Sequence, residues 1–393
     1  MSQLLNERWS ETKEALLEGL SGNRRSSMQV CLENTRRYLA EAATAGATSS
    51  GNVATLNRVI LPVIRRVMPT VIANEIIGVQ PMTGPVGQIH TLRVRYADSS
   101  GDGAVVAGEE ALSPFKIAAA YSGNNVDAIP KAASTSQLEG QPGKRMSIQI
   151  LKAPVEAKSR KLSARWTFEA AQDAQAQQGI DIEAEIMAAL AQEITVEIDQ
   201  EILASLRGLA SVDETYDQAL VSGTATFVGD EHAALAIQIN RVSNLIAQRT
   251  RRGAGNWAVV SNQALTILQS ATTSAFARTT EGTFEAPTNT KFVGTLNGAM
   301  KVYVDAYKVD TDNNNQVLIG YKGSSEADAP AFYCPYIPLM SSGVVLDPST
   351  FEPVVGFLTR YGYVELSNTA SSLGNAADYL SKVAINSATV SYK

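Results

Sequence analysis

Five carboxylates at near-regular spacing are the residues of this 393-residue chain that most invite a chemical reading: Asp181, Glu185, Glu193, Glu197 and Glu201. Steps of four bring side chains to one side of a helix. Rows of inward-facing carboxylates are how helical bundles hold paired iron or manganese, but that chemistry also needs Glu-x-x-His pairs. The chain has two histidines, His90 and His232, and neither completes such a pair. With no partner motif beside them, both read as structural. Two cysteines, Cys31 and Cys334, offer neither a disulfide framework nor a thiolate metal site. Gly101-x-Gly103 followed by Gly108 misses the dinucleotide fingerprint, and no strong strand leads into it. No catalytic, cofactor-binding or metal-binding residue is therefore expected. A carboxylate-only enzyme of the cytoplasm, working as glycosidases do, is the reading from another class that residue counts leave open. The acidic row itself reads as a solvated face. Like charges at this spacing repel modestly, so Glu193, Glu197 and Glu201 call for basic partners, and segments such as Arg65–Arg66, from this or another subunit, are candidates.

The element carrying the row is the clearest in the chain. Ile182, Ile186, Leu190, Ile194, Ile198, Ile202 and Leu206 recur at every fourth residue, Asp181 is placed to cap the start, and Gly208 to close the end. The helix would be roughly 40 Å long, and its stripe would drift by roughly 40° per step, burying different sides at its two ends. Upstream, Leu5, Trp9, Leu16 and Leu20 form one helical stripe and Met28, Cys31, Thr35 and Tyr38 another, divided at Ser21-Gly22-Asn23. A run of small residues from Ala42 to Gly51 follows and reads as a linker, so the N-terminus is expected to be an arm outside the main core. Leu56 to Val67 forms a further helical face ending near Pro69. Ile89 to Tyr96 alternates as a strand, and Ala97 to Pro154 is too long for an ordinary connection, so an extended hairpin or functional loop is expected there. Beyond Gly208 come a helix face at Leu235, Ile239, Val242 and Ile246, then strands near 257–260, 301–305, 316–321 and 354–366. Gly356 and Gly362 fall on one face of the last, where another backbone can approach.

Hydrophobic residues make up 45% and charged residues 18%, a globular composition with α+β patterning. The formal net charge of -6 argues against broad or sequence-specific nucleic-acid binding. No uninterrupted apolar run approaches membrane-spanning length, and no membrane partner is expected.

Four blocks then carry a resemblance. Pro62-Val-Ile-Arg65-Arg66-Val-Met-Pro69 with Ile77-Gly-Val-Gln-Pro-Met-Thr-Gly-Pro-Val-Gly-Gln88 is the first. Lys158-Ser-Arg160-Lys-Leu162 with Ala170-Ala-Gln-Asp173 is the second. Phe332-Tyr-Cys-Pro-Tyr-Ile-Pro338 and Gly356-Phe-Leu-Thr-Arg-Tyr-Gly362 complete the set. Together they resemble the major capsid proteins of T-even-type tailed phages (myoviruses). The resemblance implies a Hong Kong 97-like capsid fold: an N-terminal arm at 1–61, a peripheral domain begun at 62–96, and an extended loop at 97–154. It further implies a peripheral domain with the spine helix at 155–208, an axial domain at 209–340, return strands at 341–366 and a C-terminal tail at 367–393. The larger relatives carry an inserted domain in the long-loop region, for which the space here is too short.

Implied with it is a virion structural protein, assembled in the host cytoplasm, self-assembling as hexamers, with pentamers also in view, into an icosahedral shell around DNA. A pentamer-only vertex protein and a cargo-holding nanocompartment shell stand as alternatives. Its partners would be other copies of itself and scaffold, portal, vertex and decoration proteins. The resemblance also implies maturation by proteolysis after a hydrophobic-x-Glu pattern. Leu39-Ala40-Glu41 before Ala42 fits best, Leu16-Leu17-Glu18 before Gly19 is second and Leu5-Asn6-Glu7 third. Lys116, Lys131 and Lys144 lie where some relatives of the wider fold form Lys–Asn bonds, and no Asn partner stands out.

Overall fold

The computed structural model describes residues 9, 13–14, 16–17, 20, 22–44, 71–99, 106–108, 111, 121–126, 129–139, 143–178, 181–221, 228–250, 252–271, 276–278, 291–305, 307, 315–326, 328–350, 352–366, 376–386 and 390. Its longer helices are α1 (Gly22–Thr44), α2 (Phe168–Gln178), α3 (Ile182–Leu209), α4 (Val228–Thr250) and α5 (Asn262–Ser270). The strands run in order β1 (Gly78–Val79), β2 (Val86–Tyr96), β3 (Asn124–Val126), β4 (Ile129–Lys131), β5 (Met146–Glu156), β6 (Lys158–Arg165), β7 (Ser211–Tyr216) and β8 (Trp257–Val260). They continue as β9 (Phe276–Arg278), β10 (Lys291–Leu296), β11 (Met300–Val304), β12 (Gln316–Gly320), β13 (Ala331–Leu346), β14 (Pro353–Glu365) and β15 (Leu380–Ile385). The chain is α+β and divides into two compact units.

The first unit gathers Met1–Gly87, Pro154–Ser205 and Ala331–Val364. Its sheet has the order β1-β13-β14-β6. β1 lies parallel to β13, and β14 runs antiparallel to β6 from Val354 opposite Arg165 to Tyr361 opposite Lys158. Alternating burial along β14 turns Val355, Phe357, Thr359 and Tyr361 inward, the period-two pattern of a strand with one covered face. Between β13 and β14 the Asp347 carboxylate accepts from the Ser349 amide at 2.9 Å and hydroxyl at 2.7 Å, and the Asp347 amide donates to Glu352 O at 3.0 Å. This aspartate builds the turn.

α3 begins where Asp181 Oδ1 accepts from the amides of Glu183 at 3.1 Å and Ala184 at 3.4 Å. Its inward residues, from Met187 through Leu190, Ala191, Ile194, Thr195, Ile198, Asp199, Ile202 and Leu203, follow alternating steps of three and one. The every-fourth-residue stripe is thus half of a wider face, because a 3.6-residue period needs two adjacent rows to stay covered. Exposure falls along the helix: Ile182 and Ile186 are half-buried, whereas Ile194, Ile198 and Ile202 are at 1%. Asp199, itself buried, accepts from the Ile72 amide at 2.9 Å, at the head of the helical turn Ala73–Ile76.

The N-terminal segment differs from the expected free arm. Leu16, Leu17, Met28, Cys31 and Leu32 are all buried, and α1 packs along β13. The reason is chemical: Met28, Cys31 and Leu32 form an apolar strip, which docking removes from water. The break at Gly22 is real, with φ at +60°, a left-handed value that glycine adopts without steric cost. α1 runs through Ala42 to Thr44, past the expected start of the linker. Residues 45–70, which hold the rest of that linker and the helical face at Leu56 to Val67, lie outside the described residues.

The second unit gathers Gln88–Ala153, Leu206–Pro330 and Glu365–Lys393. Its seven-stranded mixed sheet has the order β7-β15-β12-β8-β11-β10-β9. Leu235, Ile239, Val242 and Ile246 of α4, with Ala264, Ile267 and Leu268 of α5, join Val260, Val302, Val304, Val317, Ile319 and Val383 of the sheet in one core. Charged pairs brace this unit. Arg249 grips Asp213 with both guanidinium ends at 2.8 Å, and Arg207 meets the fully buried Asp305 at 2.7 Å. β15, from the stretch expected as a C-terminal tail, lies between β12 and β7. The chain after β2 returns as its partner β5, and β3 and β4 pair between them in sequence. Tyr96 and Tyr121 pack at 4.5 Å between ring centroids, and Asp98 pairs with Arg145 at 3.1 Å.

Candidate functional site

The acidic row of α3 finds its base within the same unit. Arg160 stands on β6, opposite Thr359 of β14, and reaches the helix with its whole fork. Nη1 donates to Glu197 at 2.7 Å, Nη2 to Glu201 in a very close contact, and Nε to the Tyr361 hydroxyl at 2.6 Å. Tyr361 in turn donates to Glu201. One guanidinium thus ties the helix to two strands through charge-assisted bonds, a task for which lysine lacks the planar fork. Tyr361 is 4% exposed and rests against Tyr333 at 5.5 Å between centroids.

The electrostatics follow. Burial alone would raise the Glu201 carboxyl, but the Arg160 guanidinium and the Tyr361 hydroxyl outweigh it, and the group titrates below the usual carboxylate range. Burial, then the negative Glu201, push the Tyr361 phenol up. Burial works against the Arg160 charge, and Glu201 with Tyr361 more than restores it. Glu201 so held is an anchor ionised at neutral pH and neutralised by Arg160, and a poor general base.

The remaining residues singled out in the sequence fall elsewhere. Asp181 caps the helix. Glu185 and Glu193 are exposed. Arg65 and Arg66 lie outside the described residues, so the partner seen for Glu197 and Glu201 is Arg160 of the same chain. Leu39, Glu41 and Ala42 lie on α1, Leu16 is buried, and Glu18, Gly19 and Lys116 lie outside the described residues. Lys131 ends β4, and Lys144 sits 5.4 Å from the Tyr121 ring centroid. His232 is buried, with Nδ1 2.5 Å from Ser270 Oγ, and His90 is exposed. Among the described residues no group of three or more His, Cys, Asp or Glu could hold a metal ion, and no helix is long and apolar enough to cross a membrane. Sequence reasoning missed Arg160 and Tyr361. Both stand inside the resemblance blocks, but neither has a local pattern that announces a partner 37 or more residues away.

This arrangement ties elements together and leaves the chemistry of a substrate unaddressed, and comparison with known proteins agrees in kind. The family model described as "Major capsid protein Gp23" matches residues 53–139 and 126–385. The chain belongs to this family. It is 31% identical to the major capsid protein of Vibrio phage KVP40, over 86% of this chain and 82% of that one. It is 30% identical to the major capsid protein of Enterobacteria phage T4, over 83% and 78% respectively. Among solved structures, the asymmetric unit of the bacteriophage PhiM1 mature capsid aligns with a TM-score of 0.44 and 11% identity, over 78% of this chain and 84% of that one. As a Gp23 family member the chain is a tailed-phage major capsid protein of the myovirus kind, and its place is the capsid of the virion.

Proposed function

We propose that this capsid protein assembles as hexamers, with pentamers of the same chain closing the vertices, into an icosahedral shell around packaged DNA. Its role is geometric, and no catalytic step belongs to it. The observation that carries this reading is the family match running from residue 53 to residue 385, joined to relatives named major capsid proteins over about four-fifths of their length. We read the first unit as the peripheral domain and the second as the axial domain of a Hong Kong 97-type fold, with the excursion between β2 and β5 as the extended loop. A long helix beside a four-stranded sheet and a seven-stranded sheet covered by helices support the assignment. Scaffold, portal, vertex and decoration proteins are the expected partners, and neither sequence-specific nucleic acid nor membrane is among them.

Cleavage after Glu41, with Leu39 as the apolar residue of the pattern and Ala42 as the new terminus, fits this reading. The matched family region begins downstream, at residue 53. The weaker candidate is the bond between Glu18 and Gly19. Electron microscopy and sedimentation of the full chain, co-expressed with its neighbouring phage genes, test the whole. Closed shells or hexamer arrays are expected. Pentamers alone would assign the chain to vertices, and a folded monomer under those conditions would overturn the reading.

A further inference from the structure

The N-terminal helix is held as a ligand is held. Met28, Cys31 and Leu32 of α1 are 0 to 1% exposed, while Arg24, Arg25, Ser26, Gln29 and Arg36 face outward. The Asn34 amide nitrogen donates at once to Met82 O at 2.6 Å and to Tyr336 O at 3.0 Å, carbonyls from two separate segments of the first unit. Arg24 pairs with Glu75, and Cys31 Sγ lies 4.0 Å from Pro335 O. Two residues that precede the helix also contact it: Lys13 Nζ meets Glu33 at 2.7 Å, and the Arg36 guanidinium lies 5.8 Å from the Trp9 ring centroid.

α1 has little support of its own. No acidic residue stands in its first turn and no basic residue in its last, while Arg24 and Arg25 oppose the dipole at its start. A helix built this way depends on the surface it packs against. The second observation is independent of the first: the family match starts at residue 53, after α1 has ended. The matched region and the helix that packs on it are therefore separate lengths of chain.

We propose that the face of the first unit bounded by Glu75, Met82 and the Pro335–Tyr336 stretch of β13 is a helix-binding site, and that it retains the N-terminal segment without a covalent link. Its ligand class is an amphipathic helix with a narrow apolar strip and one amide at the position of Asn34. Every contact named above lies before residue 37 on the ligand side. A cut anywhere beyond α1 accordingly leaves the complex standing.

A protease recognition sequence inserted after Gly46 of the full chain tests this, with complete cutting verified by intact mass. The two fragments should co-elute in gel filtration at about 10 µM, and Cys31 and Cys334 should stay protected from a thiol reagent. Asn34→Ala should weaken retention about tenfold, in line with one lost pair of buried hydrogen bonds. Leu32→Asp should release the fragment outright, while its uncut version keeps the circular dichroism of the parent. Separation of the parent fragments, or retention indifferent to both substitutions, overturns the proposal. No shell formation enters the readout, so the outcome is independent of the capsid assignment.

Discussion

Arg160 carries more of the first unit than any other single cation described above, because three groups from two elements converge on it. Replacing it with alanine strands a partly buried carboxylate beside a buried phenol. A loss of about 2 kcal/mol is expected, read as a lowered midpoint in calorimetry. Arg160→Lys should recover only part of it, since an ammonium cannot serve Glu197, Glu201 and Tyr361 together. The same cluster has a pH signature. Glu201 and Asp213 both sit below the ordinary carboxylate range: burial opposes this, and Arg160 with Tyr361, or Arg249 with Ser381, outweighs it. A depressed folded-state pKa contributes stability that is present above the unfolded value, near 4, and lost as pH falls through the folded one. Unfolding monitored from pH 6 down to pH 2 should therefore show stability falling on the acid side. Glu201→Gln should make that fall shallower, and an unchanged slope would remove Glu201 from the account.

At the level of elements, two glycines of β14 make the sharpest contrast. A Cβ on Gly362 would run into Val155 and lie 3.2 Å from Glu156 O, whereas the nearest atom to one on Gly356 would be Ser342 Oγ, at 3.4 Å. Gly362→Ala should cost about 1 to 3 kcal/mol through overpacking and Gly356→Ala well under 1, measurable side by side in urea. On α3, Glu193→Lys changes a residue that faces outward. It should leave subunit melting unmoved and impair assembly; normal particles would show that this face meets no basic partner. What the sequence made legible follows the same physics. α3 and α4 have long apolar periodicities and could be read directly, as could β8, β11, β12 and β14. β15 could not: its six residues, LSKVAI, acquire meaning only between β12 and β7. Docking of α1 was equally hidden, because the surface it covers is made of Met82 and β13, roughly 50 and 300 residues away. The acidic row was visible, but its partner was a lone arginine on the strand β6, and pairing across such distances leaves no local pattern.

For the molecule as a whole, finished particles offer the plainest readout. A subunit mass corresponding to a chain that starts at Ala42 would establish the proposed cut, and a full-length mass would remove it. If the cut occurs and the N-terminal helix is retained, denaturing mass spectrometry should recover both pieces from purified shells. The first unit has a further consequence, one of timing. It is assembled from three stretches that end at Gly87, Ser205 and Val364. Its β1 must pair with β13, and its β6 with β14. At about 5 to 20 residues per second of synthesis, the partners of β1 leave the ribosome roughly 15 to 50 seconds after β1 itself. Throughout that interval Ile76, Ile77 and the apolar strip of α1 have no partner strand to cover them. A newborn subunit is thus sticky throughout that interval, in a cell making many copies at once. The shell protein's most dangerous encounters with its own kind come before it has a shape with which to meet them.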